Sequence, residues 1–166
     1  MLQGDAVLWQ TEAMNDETRR AMLTPKLVDS LYVEAMVLAD EARSYFDFEA
    51  EADRAAMDPA IRVHFACESL RVTTRLMHVI AWLLTQRAVK TGELTRAQAL
   101  EPDRRLGEAP QGDPLLAREF PDAARALIVA SQELFDRVRR LDRLSSAPPA
   151  AFSPARSLMS RLERAF

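Results

Sequence analysis

Carboxylates and histidines repeated at helical spacing are what a metal or acid–base centre in a helical bundle requires, and this chain carries them on two segments. Glu34 and Glu41 interrupt the apolar series Leu27, Leu31, Leu38 and Tyr45. Further on, His64, Glu68, Arg71, Arg75, His78 and Trp82 fall within about 80° of one another when the segment is plotted as a helix. Carboxylates and histidines on facing helices can hold two metal ions, which makes Glu34, Glu41, His64 and Glu68 a candidate ligand- or metal-binding set. Against that reading, neither of two helices carries the Glu-x-x-His pair that a di-iron bundle uses, and Arg71 and Arg75 would repel a cation bound beside them. The same residues fit a structural ion-pair network better. If the first two helices form an antiparallel hairpin turning near residue 54, Glu34 lies opposite Arg75, and Glu41 lies near Glu68 and Arg71. Charges leave water only when paired, so Glu34, Glu41, Glu68, Arg71 and Arg75 are expected to neutralise one another and fix helix register.

The remaining candidates are weaker still. Cys67 lies in mid-helix beside Glu68, an acidic neighbour that disfavours a thiolate nucleophile, and no histidine is placed to activate it. The single cysteine excludes an internal disulfide. His64 and His78 read as satisfied side chains at a bundle edge. With only 4 glycines there is little scope for a phosphate loop or dinucleotide fingerprint, and no Gly-x-Ser-x-Gly elbow occurs. Arg125, Arg137, Arg139, Arg140 and Arg143 form a basic line that could touch nucleic acid, but Asp122, Glu133, Asp136 and Asp142 interleave with it. A solvated mixed-charge face is expected there. No catalytic, metal or cofactor residue is therefore assigned, and the chain is not expected to be an enzyme.

The elements that position these residues are helices. Thr24-Pro25 joins a capping hydroxyl to a proline at the first helical position, so a first helix should run to about Glu51. Asp58-Pro59 repeats the device, and Gly92 is the stop, which predicts a second helix about 50 Å long. That helix carries two apolar stripes, one with Ile61, Phe65, Val72, Leu76, Val79 and Leu83, the other with Val63, Ala66, Leu70, Met77, Ala81 and Leu84. A spine apolar on two sides should sit between two partners. A short helix capped by Thr95 and a Pro- and Gly-containing connector lead to a third helix from near Pro121 to about Ser145. Phe120, Ala124, Leu127, Leu134, Val138 and Leu141 should face the spine. The expected architecture is an all-α antiparallel three-helix bundle over residues 24–145. A loosely held arm, residues 1–23, precedes it, and a mobile tail, residues 146–166, follows, in which Leu158, Leu162 and Phe166 form an apolar edge able to bind a partner.

Length and charge agree with one domain that binds proteins. The 166 residues suffice for one sizeable core. Lys plus Arg number 22 against 25 Asp plus Glu, a net charge of -3 without the basic excess of nucleic-acid binders. The most apolar run is too short to span a bilayer and the N-terminus lacks a signal-peptide pattern, so the expectation is a soluble cytoplasmic protein contacting neither membrane nor nucleic acid. Tyr32, Val33, Met36 and Met77 add apolar surface beyond what three helices easily cover, which points to a homodimer or a partner groove.

Residues 38–47, 68–77 and 81–89 resemble the bacterial RcdA family, regulators of CtrA degradation. The runs Thr74-Arg75-Leu76-Met77 and Trp82-Leu83-Leu84-x-Gln86-Arg87-Ala88 are the most specific part, and the similarity extends over roughly residues 24–144. The resemblance implies a dimeric three-helix adaptor in regulated proteolysis. Its implied partners are the ClpXP protease, a CpdR-like response regulator, a PopA-like cyclic-di-GMP effector and CtrA-like cell-cycle substrates, with recruitment to the cell pole. It carries no catalytic residues, and it implies a tail that contributes to delivery.

Overall fold

Thr24 and Pro25 open the first helix as their types require. In the computed structural model, which describes residues 24–146, the Thr24 hydroxyl accepts from the Leu27 backbone N–H at 3.2 Å, and α1 runs Pro25–Ser44. The arm, and the tail with Leu158, Leu162 and Phe166, lie outside the described residues. Beyond Ser44 the chain widens into a π-helical turn, Tyr45–Glu49, and a short α2, Glu51–Ala56, completes the segment expected to end near Glu51. The wide turn has a packing consequence. Tyr45 and Phe46, neighbours in sequence, are both buried, and they meet Phe65 with ring centroids 6.5 and 5.5 Å away, while Phe65 meets Phe120 at 5.5 Å. These edge-on aromatic contacts close one end of the core.

Tyr45 also donates its hydroxyl to Asp53 at 3.0 Å. Burial, then the bond to the Asp53 carboxylate, pushes its pKa up to about 12 from 10.0. The raised value means the folded state holds the phenol proton longer than the unfolded chain does. The stabilisation is present below pH 10 and is lost as pH rises towards 12, by roughly 1.4 kcal/mol per unit within that window. Of the two tyrosines, one should therefore ionise only near pH 12 when phenolate absorbance is titrated, and Tyr45→Phe should abolish that late step. A late step that survives the substitution would place the perturbed phenol elsewhere.

The spine, α3, spans Pro59–Thr91, 33 residues, and ends at Gly92 in the left-handed conformation, φ 80°. Thr95 and Gln98 form a reciprocal capping box on the single turn α4, Arg96–Ala99. Two 3₁₀ turns, Pro102–Arg104 and Leu116–Glu119, punctuate the connector before α5, Asp122–Ser146. Among the described residues every regular element is helical, and no helix is long and apolar enough to cross a membrane.

The contacts fix how the helices run. Asp29 near the start of α1 ion-pairs with Arg87 and Lys90 near the end of α3, so these two are antiparallel, as are α1 and α5, joined by Glu34 and Arg137. Along α3 and α5 the order is different: Phe65 meets Phe120, Arg75 meets Ser131 and Trp82 meets Asp142. Those two helices are parallel, which refines the expectation of antiparallel neighbours throughout. Parallel neighbours need a crossover, and residues 92–121 supply it by running back along the spine.

The first apolar stripe of α3 is core: Phe65, Val72, Leu76, Val79 and Leu83 are buried and Ile61 is half-buried. The second stripe corrects the expectation of a partner on each apolar side. Val63, Ala66, Leu70, Met77, Ala81 and Leu84 are all exposed. The spine's other neighbours, α5 and the connector, instead cover the charged stripe between the two apolar ones.

Candidate functional site

That covered stripe holds the charge cluster. Glu68 is 4% exposed and Arg75 2%. Glu68 Oε1 accepts from Arg71 Nη1 at 2.7 Å, and its Oε2 lies 3.7 Å from Arg75 Nη2. Arg75 Nη1 donates to the fully buried Ser131 hydroxyl at 2.9 Å, and that hydroxyl donates to the Ile128 carbonyl at 2.8 Å. Burial holds the Arg75 pKa below its ordinary value, opposed by the charge of Glu68. Three atoms here are buried without a hydrogen-bond partner: Glu68 Oε2, Arg75 Nη2 and His78 Nδ1.

The connector lies directly on this stripe. A β-carbon on Gly107 would stand 2.8 Å from the His78 ring, and one on Gly112 only 1.6 Å from Glu68 Oε1. Two of the 4 glycines thus stand where the backbone must touch α3 side chains. A second polar knot pins the connector's near end. Asp142, 5% exposed, accepts from Trp82 Nε1 at 2.7 Å, from Arg105 Nε at 2.7 Å and from Arg105 Nη2 at 2.8 Å. The hydrogen bond to Asp142 raises the Arg105 pKa. Between connector and α5 a cleft of about 470 Å³ remains, with Glu68 and Arg75 in its wall.

The structure brings Glu68, Arg71 and Arg75 together and leaves the other two expected members out. Glu34 does not face Arg75; it pairs with Arg137 of α5, both half-exposed. Glu41 is exposed and makes no ion pair with a described residue. The reason is geometric: α3 turns its charged stripe to α5, so α1 meets the apolar stripe beside it. Glu34, Glu41, His64 and Glu68 are therefore not one site, and no three His, Cys, Asp or Glu side chains among the described residues group as a metal would need. On α5, Arg125 pairs with Asp122 and Arg139 with Asp136, but Asp142 is buried, contrary to its reading as a solvated charge. Sequence reasoning missed Ser131, Asp142, Gly107 and Gly112; the only available signal was that glycine is scarce and two fall in one loop.

Outside this seam, the exposed apolar row Val63, Leu70, Met77 and Leu84 recurs every seven residues along α3, each 46–67% exposed. Val33, Met36 and Val37 of α1 are exposed too.

Over the described residues the fold and these surfaces define an all-α bundle with a buried charged seam, a cleft beside it and an exposed apolar row. Residues 19–166 match the family model described as "Protein of unknown function (DUF1465)". Among solved structures the chain is similar to RcdA from Caulobacter crescentus CB15, with 31% sequence identity and a TM-score of 0.62 over 76% of this chain and 97% of that one. No curated protein matches the sequence. The chain belongs to the RcdA family.

Proposed function

We propose that this protein is a non-enzymatic adaptor that self-associates and helps deliver CtrA-like cell-cycle regulators to the ClpXP protease in the cytoplasm, at the cell pole. The observation that carries the reading is the uncovered heptad row of α3 on a bundle that is 31% identical to RcdA. A row of large apolar side chains repeating every seven residues is the pattern by which one helix seats against another. In this reading its occupant is a second copy of the chain, as a two-fold dimer would pair the row with itself. A CpdR-like response regulator and a PopA-like cyclic-di-GMP effector complete the assembly by family likeness, with Leu158, Leu162 and Phe166 as the delivery contact.

Replacing Leu70 and Met77 together by lysine is expected to weaken self-association by about 100-fold or more, each lost side chain removing at least 1.5 kcal/mol of burial. Both positions are exposed, so the variant should stay helical and unfold cooperatively, with a Tm that no longer depends on protein concentration, while sedimentation equilibrium shows monomer. A wild-type chain that is monomeric at micromolar concentration would remove self-association through this face. The delivery role is read separately: added to ClpXP, the response regulator, the cyclic-di-GMP effector and a CtrA-like substrate, the protein should accelerate substrate loss. An unchanged rate would overturn the adaptor reading.

A further inference from the structure

We propose that the cleft between the connector and α5 binds an N-acyl amino acid unit, a free carboxylate preceded by one amide, as found at the C-terminus of a peptide. The cleft's volume of about 470 Å³ falls within the range of small-ligand sites. Its wall contains Glu68 and Arg75, both more than nine-tenths buried, each with one polar atom lacking a hydrogen-bond partner. Buried charged atoms left unpartnered are costly and uncommon. Here they form an adjacent acceptor and donor, Glu68 Oε2 and Arg75 Nη2, 3.7 Å apart. One C-terminal residue answers both, giving its own N–H to the carboxylate and a carboxylate oxygen, which lies on the same side of an extended residue, to the guanidinium.

The rest of the lining favours a free acid at that residue. Arg118, Arg125 and Arg139 join Arg75, against the carboxylates of Glu68, Asp113 and Asp136, so the lining holds four positive groups and three negative. Asp136 is engaged by Arg139 at 2.7 Å and Asp113 caps the Leu115 backbone N–H at 2.8 Å. Arg118 is exposed and makes no ion pair with another described residue, which leaves its planar fork for a carboxylate. Ile128, Val129 and Phe135 line the same cleft and offer an aliphatic side chain an apolar wall. The Gly112 segment lies on the Glu68 carboxylate, so the amide takes that segment's place and binding moves it.

This inference concerns a surface distinct from the apolar row, and its readout involves no protease, so it stands or falls apart from the adaptor reading. The probes are fluorescein-labelled tetrapeptides ending in alanine, valine, leucine or phenylalanine, each made as free acid and as amide, titrated against the full chain by anisotropy. At least one acid should bind about ten-fold or more tightly than its amide. Arg118→Ala should erase that difference without moving the melting curve, and the Gly112 amide resonance should shift only with the acid. Competition by N-acetyl-leucine would assign the site to free N-acyl amino acids, and binding of peptides alone would assign it to peptide ends; either supports the shared chemistry. Equal binding of acid and amide, no binding at millimolar probe, or an unaltered preference in Arg118→Ala would overturn it.

Discussion

Arg75→Ala should lower the free energy of unfolding by about 3 kcal/mol or more, because breaking a buried pair from one side strands the other charge. The partner left behind is Glu68, 4% exposed, which keeps only Arg71, whose own side chain is 30% exposed. The Ser131 hydroxyl, fully buried, loses its donor as well. Arg75→Met restores most of the volume and isolates the electrostatic part, and it should still cost about 2 kcal/mol. Adding Glu68→Gln to Arg75→Met should recover part of that loss, since a neutral amide needs no countercharge; the non-additivity in a double-mutant cycle measures the pairing. Urea unfolding is the appropriate measurement. If Arg75→Ala unfolds at the wild-type midpoint, the seam contributes nothing to holding α5 on the spine.

That seam shows where sequence is informative and where it is not. Thr24-Pro25, Pro59, Gly92 and the Thr95 box mark their helix ends through local chemistry, which neighbouring residues determine alone, while Asp58 holds the cap position of α3 without the side-chain bond its type suggested. The three stripes of α3 are equally legible, being periodicity. Which neighbour covers each stripe depends on how three helices and a crossover share one axis, and no residue of α3 encodes it. Two apolar stripes and one charged stripe suggested partners on the apolar sides, whereas the structure buries one apolar stripe and the charged one next to it. Glu34 was consequently matched to Arg75, when α5 supplies Arg137 instead.

The connector was the least legible part, and it builds the cleft. Its backbone approaches Glu68 and His78 at glycines, a relation between residues more than 25 apart that no helical or strand period announces. Asp142 was hidden for a different reason. It stands among arginines on α5 and has the type of a surface residue, so only its meeting with Trp82, 60 positions away, reveals burial. The π-helical turn at Tyr45–Glu49 has no propensity signal either; it is set by the demand that Tyr45 and Phe46 both reach the aromatic cluster.

Asp142→Ala carries the other large expected effect, a loss of about 3 kcal/mol combined with freeing of the connector. The substitution leaves the Trp82 indole N–H, in a side chain 2% exposed, without its acceptor, a desolvation cost of about 1–3 kcal/mol. It also removes the bidentate partner of Arg105, leaving that guanidinium with the Ser146 hydroxyl and the residue-142 carbonyl. Trp82→Phe separates the two contributions, because it deletes the indole donor yet keeps the Asp142–Arg105 pair, and it should cost nearer 1 kcal/mol. The diagnostic is local. Once Asp142 is gone the connector should open more often than the bundle unfolds, so trypsin should cut after Arg104 and Arg105 several-fold faster in Asp142→Ala, with little change in Trp82→Phe. Equal cleavage rates in wild type and Asp142→Ala would mean that the connector is held by its glycine contacts on Glu68 and His78 alone, and that Asp142 serves only the indole.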